Sequence, residues 1–581
     1  MTSAGAATAR TIQSPDMRFL LVLPLVLAAP AADRRNTETP NTDTPMTFRA
    51  PERLEDWQAR RELLRRQILA AAGLWPAPPK HPLRVLFAGR IDRGDYTIEK
   101  AAIETLPGFW LGGNLYRPKG AGPFPAVLHP HGHWPYGRLE NSELCSTPAL
   151  GVNFARNGFL VFAYDMLGYN DMVQAAHDFT GAAYQLWNFT PLGLQLWNSI
   201  RAVDFLLSLP DVDPKRLAIT GASGGGTQTF LLTAVDERIA AAAPVNMVSG
   251  LMQGGCICEN APGLRIGTNN IEIAALFAPK PMLLVSATGD WTREVPKVEY
   301  PAMQKAWQLF GRAENLEVVQ FDAPHNYNRQ SREAVYEFFR KHLSPERTPW
   351  KERNPAVEKL QDMLVFHGRP LPEGAVSFDE LFAWWKRTAR AAARRMSAAE
   401  ARERLRMAFA WQERPAFDAL PARYLGGRAP AALVLHPAGM AEAEKTEDFR
   451  ELGAAGRAVM LLDAYQTGSA VAPRDRSHRH FLTFNVSDDA GRAQDVAVAL
   501  EELWRRTKQP VELRASGVAR RWALYGAAIA GVPVRFDATP EEFDEDEARL
   551  EKEFFVPGLL QAGGAESALR AMERAPAQLR K

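Results

Sequence analysis

From Pro51 to Gly73, the apolar residues Leu54, Trp57, Leu64 and Ile68 recur among Arg and Glu at helical spacing, which predicts an amphipathic helix. Two strand-like stretches follow, Arg84 to Ala88 and Tyr96 to Leu106, and a third from Trp110 to Tyr116 stops at Arg117-Pro118. Beyond them the pattern changes. Short continuous apolar runs at Ala126 to His129, Phe159 to Tyr164, Leu217 to Thr220, Met282 to Ser286 and Val318 to Phe321 alternate with helical periods such as Leu192 to Leu209. Strands buried on both faces read as continuous apolar runs, so the pattern predicts an α/β fold: a mostly parallel sheet with helices on both sides, entered through antiparallel strands.

This unit is expected to span residues 51–345. A polar, helix-rich connector over 346–405 follows, with a basic stretch from Lys386 to Arg395 whose acidic flanks mark a solvated helix face. The remainder, 406–581, repeats the first unit in weakened form. Ala126-Val-Leu-His-Pro-His-Gly132 is echoed by Leu433-Val-Leu-His-Pro-Ala-Gly439, and the strand ending in Asp165 by the one ending in Asp463. Trp187-Asn-Phe-Thr190 is matched by Phe484-Asn-Val-Ser487, and Met252-Gln-Gly-Gly255 by Leu560-Gln-Ala-Gly-Gly564. Four anchors in one order predict a duplication.

At the N-terminus, Arg18 precedes the apolar run Phe19 to Leu27 and the small-residue exit Ala28-Ala-Pro-Ala-Ala32. That is the arrangement of a secretory signal over 1–32, with Met17 as an alternative start, and it implies export to a periplasm or the exterior. Residues 33–50, polar from Asn36 to Thr44, are expected to be a linker. No later segment has the apolar length of a membrane span.

Composition narrows the function classes. Of 581 residues, 46% are hydrophobic and 23% charged, and 69 Lys and Arg against 67 Asp and Glu leave a net charge of +2. A polyanion binder held by bulk charge is excluded, so no nucleic-acid partner is expected. Three cysteines are too few for a disulfide framework; Cys145 with Cys256 or Cys258 is expected to form one disulfide and leave one free thiol.

The sharpest chemical signal is Ile219-Thr-Gly-Ala-Ser-Gly-Gly-Gly226, a G-x-S-x-G motif between a predicted strand and the helical run Thr227 to Ala234. A serine on such a strand-to-helix turn projects its hydroxyl above the sheet. A serine hydroxyl is a poor nucleophile until a base takes its proton. The chain supplies an acid and a histidine in order, each after a strand: Asp290 closes Met282 to Asp290, and His325 closes Val318 to His325. Asp290 is expected to orient His325, with Asp322 and Asp165 as its competitors; His325 serves Ser223 as base and the leaving group as acid. The backbone N–H of Gly224 and that of Gly132 or His133, in the loop His129-Pro-His-Gly-His-Trp134, are the expected oxyanion donors. His129, His131 and His133 alternate and could clasp a metal on an extended strand, but Pro130 and Gly132 interrupt it, so no metal and no cofactor are expected. Trp134, Trp187 and Trp291 lie in loops beside these elements and are expected to line a cleft suited to sugar or aryl groups, whereas Trp197 reads as core.

His129-Pro-His-Gly-His133, Tyr164-Asp165 with Gly168, Asp211-Val-Asp-Pro-Lys-Arg216 and Ala323-Pro-His-Asn326 make the first unit resemble the α/β-hydrolase superfamily, within it the exported acetyl xylan esterase-like and prolyl-oligopeptidase-like serine hydrolases. The resemblance implies Ser223 as nucleophile, Asp290 as acid and His325 as base, acting through an acyl-enzyme on a carboxylic ester of acylated carbohydrate or a related small molecule. A serine peptidase and a non-catalytic binding protein on a hydrolase fold are the alternatives. One departure stands out: esterases of the acetyl xylan type usually carry a bulkier residue after the serine, where this chain has three glycines. In the second unit the best register puts Gly517 at the nucleophile position, with Ser516 one residue out of step, which implies a degenerate copy without a triad.

Overall fold

The computed structural model describes residues 33–345 and 348–573. The expected signal segment lies outside them. Leu54–Ala71 is a helix, as its spacing predicts. Three strands, β1 (Val85–Asp92), β2 (Tyr96–Leu106) and β3 (Phe109–Pro118), form an antiparallel entry to a nine-stranded sheet. Into it run β4 (Phe124–Pro130), β5 (Leu160–Tyr164), β6 (Val212–Ala222), β7 (Ala241–Val245), β8 (Met282–Gly289) and β9 (Leu316–Pro324), in the order β1-β2-β3-β5-β4-β6-β7-β8-β9. From β5 to β9 all neighbours are parallel. Every residue of β5 and β7 and all but the first of β4 are buried, as strands covered on both faces require.

The helices on the sheet start where side chains can satisfy their open N–H groups. Thr190 accepts from Gly193 N–H at 3.1 Å and opens Pro191–Ser208; Ser146 accepts from Ala149 N–H at 3.1 Å and opens Thr147–Arg156. In the connector, capping boxes Ser377/Glu380 and Ser397/Glu400 start Phe378–Ala393 and Ala398–Ala408. The first of these buries Leu381, Trp385, Ala389 and Ala393, one stripe at four-residue spacing, against the first domain.

A second sheet follows: β10 (Ala422–Leu425), β11 (Arg428–Leu435), β12 (Arg457–Leu462), β13 (Val511–Ala515) and β14 (Val534–Arg535), ordered β10-β12-β11-β13-β14. Its first pair is antiparallel and the rest are parallel, the same order and directions as β3-β5-β4-β6-β7. Helices Asp488–Thr507 and Ala519–Ala530 occupy the chain positions of Pro191–Ser208 and Gly224–Val235. One apolar cluster runs from the first domain through the connector into the second.

One expectation is corrected here, and one strand was not expected. The stretch 33–44 is not a free linker. Asp495, 1% exposed on the Asp488–Thr507 helix, requires a counter-charge, and Arg35 provides it at 2.8 Å. Tyr465 donates to Asn36 Oδ1 at 2.6 Å, and Gln253 N–H to Thr42 O at 2.8 Å, so this segment ties both domains together. Strand β7 has no counterpart in the apolar pattern, because four of the five residues of Ala-Ala-Ala-Pro-Val are alanine or proline and Val245 alone is of the β-branched type that signals a strand.

Asp165, at the end of β5, belongs to a buried ionic cluster. Arg138, wholly buried, reaches Asp165 and Asp171 and donates to Asn114 Oδ1 at 2.9 Å. Asp171 in turn accepts Val365 N–H at 2.8 Å and Phe366 N–H at 2.9 Å, fastening the connector to the sheet. Arg138→Met leaves two carboxylates buried without their cation, and an unfolding free energy lower by about 3–5 kcal/mol is expected. Urea titration followed by tryptophan fluorescence measures it; an unshifted midpoint would contradict the role given to Arg138.

Candidate active site

Strand β6 ends at Ala222, and the Gly224–Val235 helix begins two residues later, leaving Ser223 between them with φ 57° and ψ −125°. A non-glycine residue with positive φ is strained, and such strain persists only where its surroundings enforce it. Here Ser223 N–H donates to Val245 O at the end of β7, at 3.2 Å. The glycines after it permit close approach. A Cβ on Gly225 would lie 2.2 Å from Pro130 O at the end of β4. A Cβ on Gly224 would lie 2.5 Å from His133 Cε1 and 2.8 Å from Met166 Cε. The departure after the serine thus has a local cause: the His133 ring fills the space of a side chain. Gly224 N–H, first in its helix, has no intrahelical acceptor and heads the helix dipole.

Strands β8 and β9 bring Asp290 and His325 together. His325 Nδ1–H donates to Asp290 Oδ2 at 2.8 Å, and Asp290 Oδ1 accepts from Thr292 N–H at 2.7 Å and Thr292 Oγ1 at 2.5 Å. Asp290 is buried, and its hydrogen bonding fixes the imidazole with Nε2 as the open acceptor. His325 Nε2 is buried and, among the described residues, has no hydrogen-bond partner. The competing acids are engaged elsewhere: Asp322 is exposed and accepts from Thr288 Oγ1 at 2.5 Å, and Asp165 holds Arg138.

Trp134 and Gly132 connect the two halves of the site. A Cβ on Gly132 would lie 3.2 Å from Ser223 Cβ and 2.9 Å from Trp134 Nε1. The Trp134 ring stacks on His325 with centroids 6.0 Å apart and planes at 24°, and Trp291 lies 4.4 Å from the same imidazole. Among the described residues Ser223 Oγ and His325 Nε2 share no hydrogen bond; such contacts tighten when substrate is bound.

Trp187 departs from its expected place. It is 1% exposed, its Nε1 donates to Glu547 Oε1 at 2.8 Å, and Trp385 Nε1 donates to its carbonyl at 3.0 Å, so it seals the junction between domains. The three alternating histidines do not converge. His129 donates from Nδ1 to Thr220 O at 2.8 Å; His131 donates from Nδ1 to Gly132 O at 2.7 Å and accepts at Nε2 from Met166 N–H at 2.9 Å. Burial pushes the pKa of His129 down to about 4 and that of His131 down to about 3, so both are neutral struts of the loop.

The cysteines also depart from expectation, since all three are free thiols. Cys256 and Cys258 face His133 and His177 instead. His133 Nε2 is 3.1 Å from Cys258 Sγ, and His177 Nε2 is 3.3 Å from Cys256 Sγ. His177 sits in a loop with no spacing motif to its partners, so nothing along the chain singles it out.

The acetyl xylan esterase (AXE1) family matches residues 104–248, from β2 through the serine turn to the loop after β7. YtaP of Bacillus subtilis (strain 168), named as a hydrolase, is 31% identical over 127 residues, which cover 21% of this chain and 42% of that protein. Acetyl esterase Axe7A of Xylanibacter ruminicola (strain ATCC 19189) is 28% identical over 141 residues, covering 22% of this chain and 30% of that protein. The chain therefore spans less than half the length of the curated relatives it matches. Among solved structures, methylesterase BT1017 is 30% identical with a TM-score of 0.51, over 58% of this chain and 76% of that one. Given this relative, the family match across the serine turn and the parallel sheet around it, the chain belongs to the α/β-hydrolase superfamily.

Proposed function

We propose that the first domain is a serine hydrolase of carboxylic esters, with acylated or methyl-esterified carbohydrate as its substrate class. The observation that carries this reading is the Asp290–His325 hydrogen bond of 2.8 Å, with a buried, open Nε2 in the same site as the strained Ser223. In the proposed sequence, Ser223 Oγ attacks the ester carbonyl as His325 Nε2 takes its proton, and Asp290 stabilises the imidazolium. The N–H groups of Gly224 and of Gly132 or His133 hold the developing oxyanion. Collapse breaks the C–O bond, and the alkoxide leaves with the proton from Nε2. Water then repeats the cycle on the acyl-serine, releasing the acid. Trp134 and Trp291 border the imidazole and offer flat faces to a sugar ring.

The carbohydrate part rests on the names of the matched family and relatives: an acetyl xylan esterase family, an acetyl esterase and a methylesterase. Export follows from the N-terminal sequence signal and suits a polysaccharide-derived substrate met outside the cytoplasm. Among the described residues no helix is long and apolar enough to cross a membrane. The second domain is read as an inactive copy retained for packing. Its five-strand order repeats that of β3-β5-β4-β6-β7, and Gly517 shares a positive φ with Ser223, 53° against 57°, but carries no hydroxyl.

A panel of acetylated, feruloylated and methyl-esterified sugars, with short-chain p-nitrophenyl esters and peptides beside them, tests the substrate class. Release of acid or methanol from the sugar esters is the expected result. Cleavage of peptides with none of the esters would overturn it.

A further inference from the structure

We propose that His133, His177, Cys256 and Cys258 form a closed four-ligand site for a thiophilic divalent cation, zinc foremost, that pins the oxyanion loop to the nucleophile helix. The four donor atoms, two imidazole nitrogens and two sulfurs, all lie within 4.8 Å of one another. Around a tetrahedral zinc with Zn–N near 2.05 Å and Zn–S near 2.3 Å, neighbouring N and S atoms stand about 3.6 Å apart. The observed N–S separations of 3.1 and 3.3 Å are close to that edge. Two nitrogens with two thiolates is a donor set of structural zinc sites, and four protein ligands leave no open position for water or substrate.

The surroundings are built for ligation. His177 donates from Nδ1 to Leu167 O at 2.9 Å, which fixes the tautomer that turns an Nε2 lone pair towards the thiols. The cysteine loop is braced from within: Asn260 Nδ2 donates to Gly254 O at 3.0 Å and to Cys256 O at 2.8 Å, and Cys256 N–H donates to Glu259 Oε2 at 2.9 Å. Glu259 Oε1 accepts from Thr227 Oγ1 at 3.0 Å, and Thr227 lies on the nucleophile helix. The ligands come from three separate segments, those after β4, after β5 and after β7. Weak S–H donors alone give little reason for such convergence. The glycine after Ser223 fits the same account, because Gly224 leaves room for the His133 ring between the serine turn and the two sulfurs. The expectation of no metal rested on Pro130 and Gly132 interrupting the histidine strand; the set found here takes only His133 from that strand and is completed by His177, which carries no sequence signal.

Metal content decides the proposal without reference to ester hydrolysis. The full chain, produced with zinc in the medium and purified without chelator, is analysed by inductively coupled plasma mass spectrometry, and about one zinc per chain is expected. Cobalt(II) exchanged into the site should give the intense visible bands of a tetrahedral thiolate complex. Cys256→Ser, Cys258→Ser and His177→Ala should each lose the metal, at more than the roughly 10–100-fold affinity cost of deleting a mere supporting partner. Cys145→Ala should retain it. Substoichiometric zinc after incubation with excess Zn²⁺ and dialysis, a Cys256–Cys258 disulfide in the purified chain, or full metal content in the Cys256/Cys258 double variant would each overturn the site. Failure of a single variant to fold leaves the wild-type stoichiometry and the cobalt spectrum to decide.

Discussion

Ser223→Ala should lower kcat for a short-chain p-nitrophenyl ester by a factor on the order of 10⁶, the scale on which removing the nucleophile of a triad acts. The size follows from the chemistry being shared. Without Oγ no acyl-enzyme forms, so His325 and Asp290 have no proton transfer to complete, and removing them as well costs little more. What remains, about 10³–10⁴ over water, comes from substrate binding and the oxyanion donors. The variant should stay folded. Alanine keeps the Cβ that already stands at φ 57°, and the N–H bond to Val245 O is a backbone one. Far-ultraviolet circular dichroism and the urea midpoint check that the loss is chemical. If the folded variant turned over the ester at the parent rate, the nucleophile would have to be another group.

Much of this candidate site is legible in the sequence, because its parts lie at the ends of strands with strong local signals. The serine turn follows an apolar run and precedes a helical one, and Asp290 and His325 close the runs of β8 and β9. Other parts were hidden by distance along the chain. His177 joins Cys256 through a loop without periodicity, and Trp187 looked like a cleft residue until Glu547 and Trp385 enclosed it. Arg35 lies in a polar stretch that resembles a linker, and its buried partner Asp495 stands far along the chain. β7 was silent for a compositional reason: its alanines pair in register with β6 but carry no strand signature. Local chemistry is readable where sequence neighbours cooperate, and unreadable where a partner tens to hundreds of residues away decides the environment.

The choice of Asp290 over the other acids makes the second large prediction: Asp290→Asn should lower kcat by about 10⁴, the cost of presenting the wrong tautomer in serine proteases. The direction of the amide follows from the site. Thr292 directs both its N–H and its hydroxyl at Oδ1, so the asparagine carbonyl takes that place and its NH₂ faces His325 Nδ1. An amide donor there requires Nδ1 to accept, which moves the imidazole proton to Nε2 and leaves no base towards Ser223. The effect should be confined to chemistry: KM changes little, because Asp290 is buried beneath the imidazole rather than facing the cleft. Asp322→Asn provides the contrast. Its carboxylate is exposed and bonded to Thr288, so turnover should stay within a factor of about two of the parent, the range of a surface change. Steady-state kinetics on the two purified variants separates the assignments. Parent-like turnover by Asp290→Asn, or a comparable collapse in Asp322→Asn, would move the acid of the triad from β8 to β9.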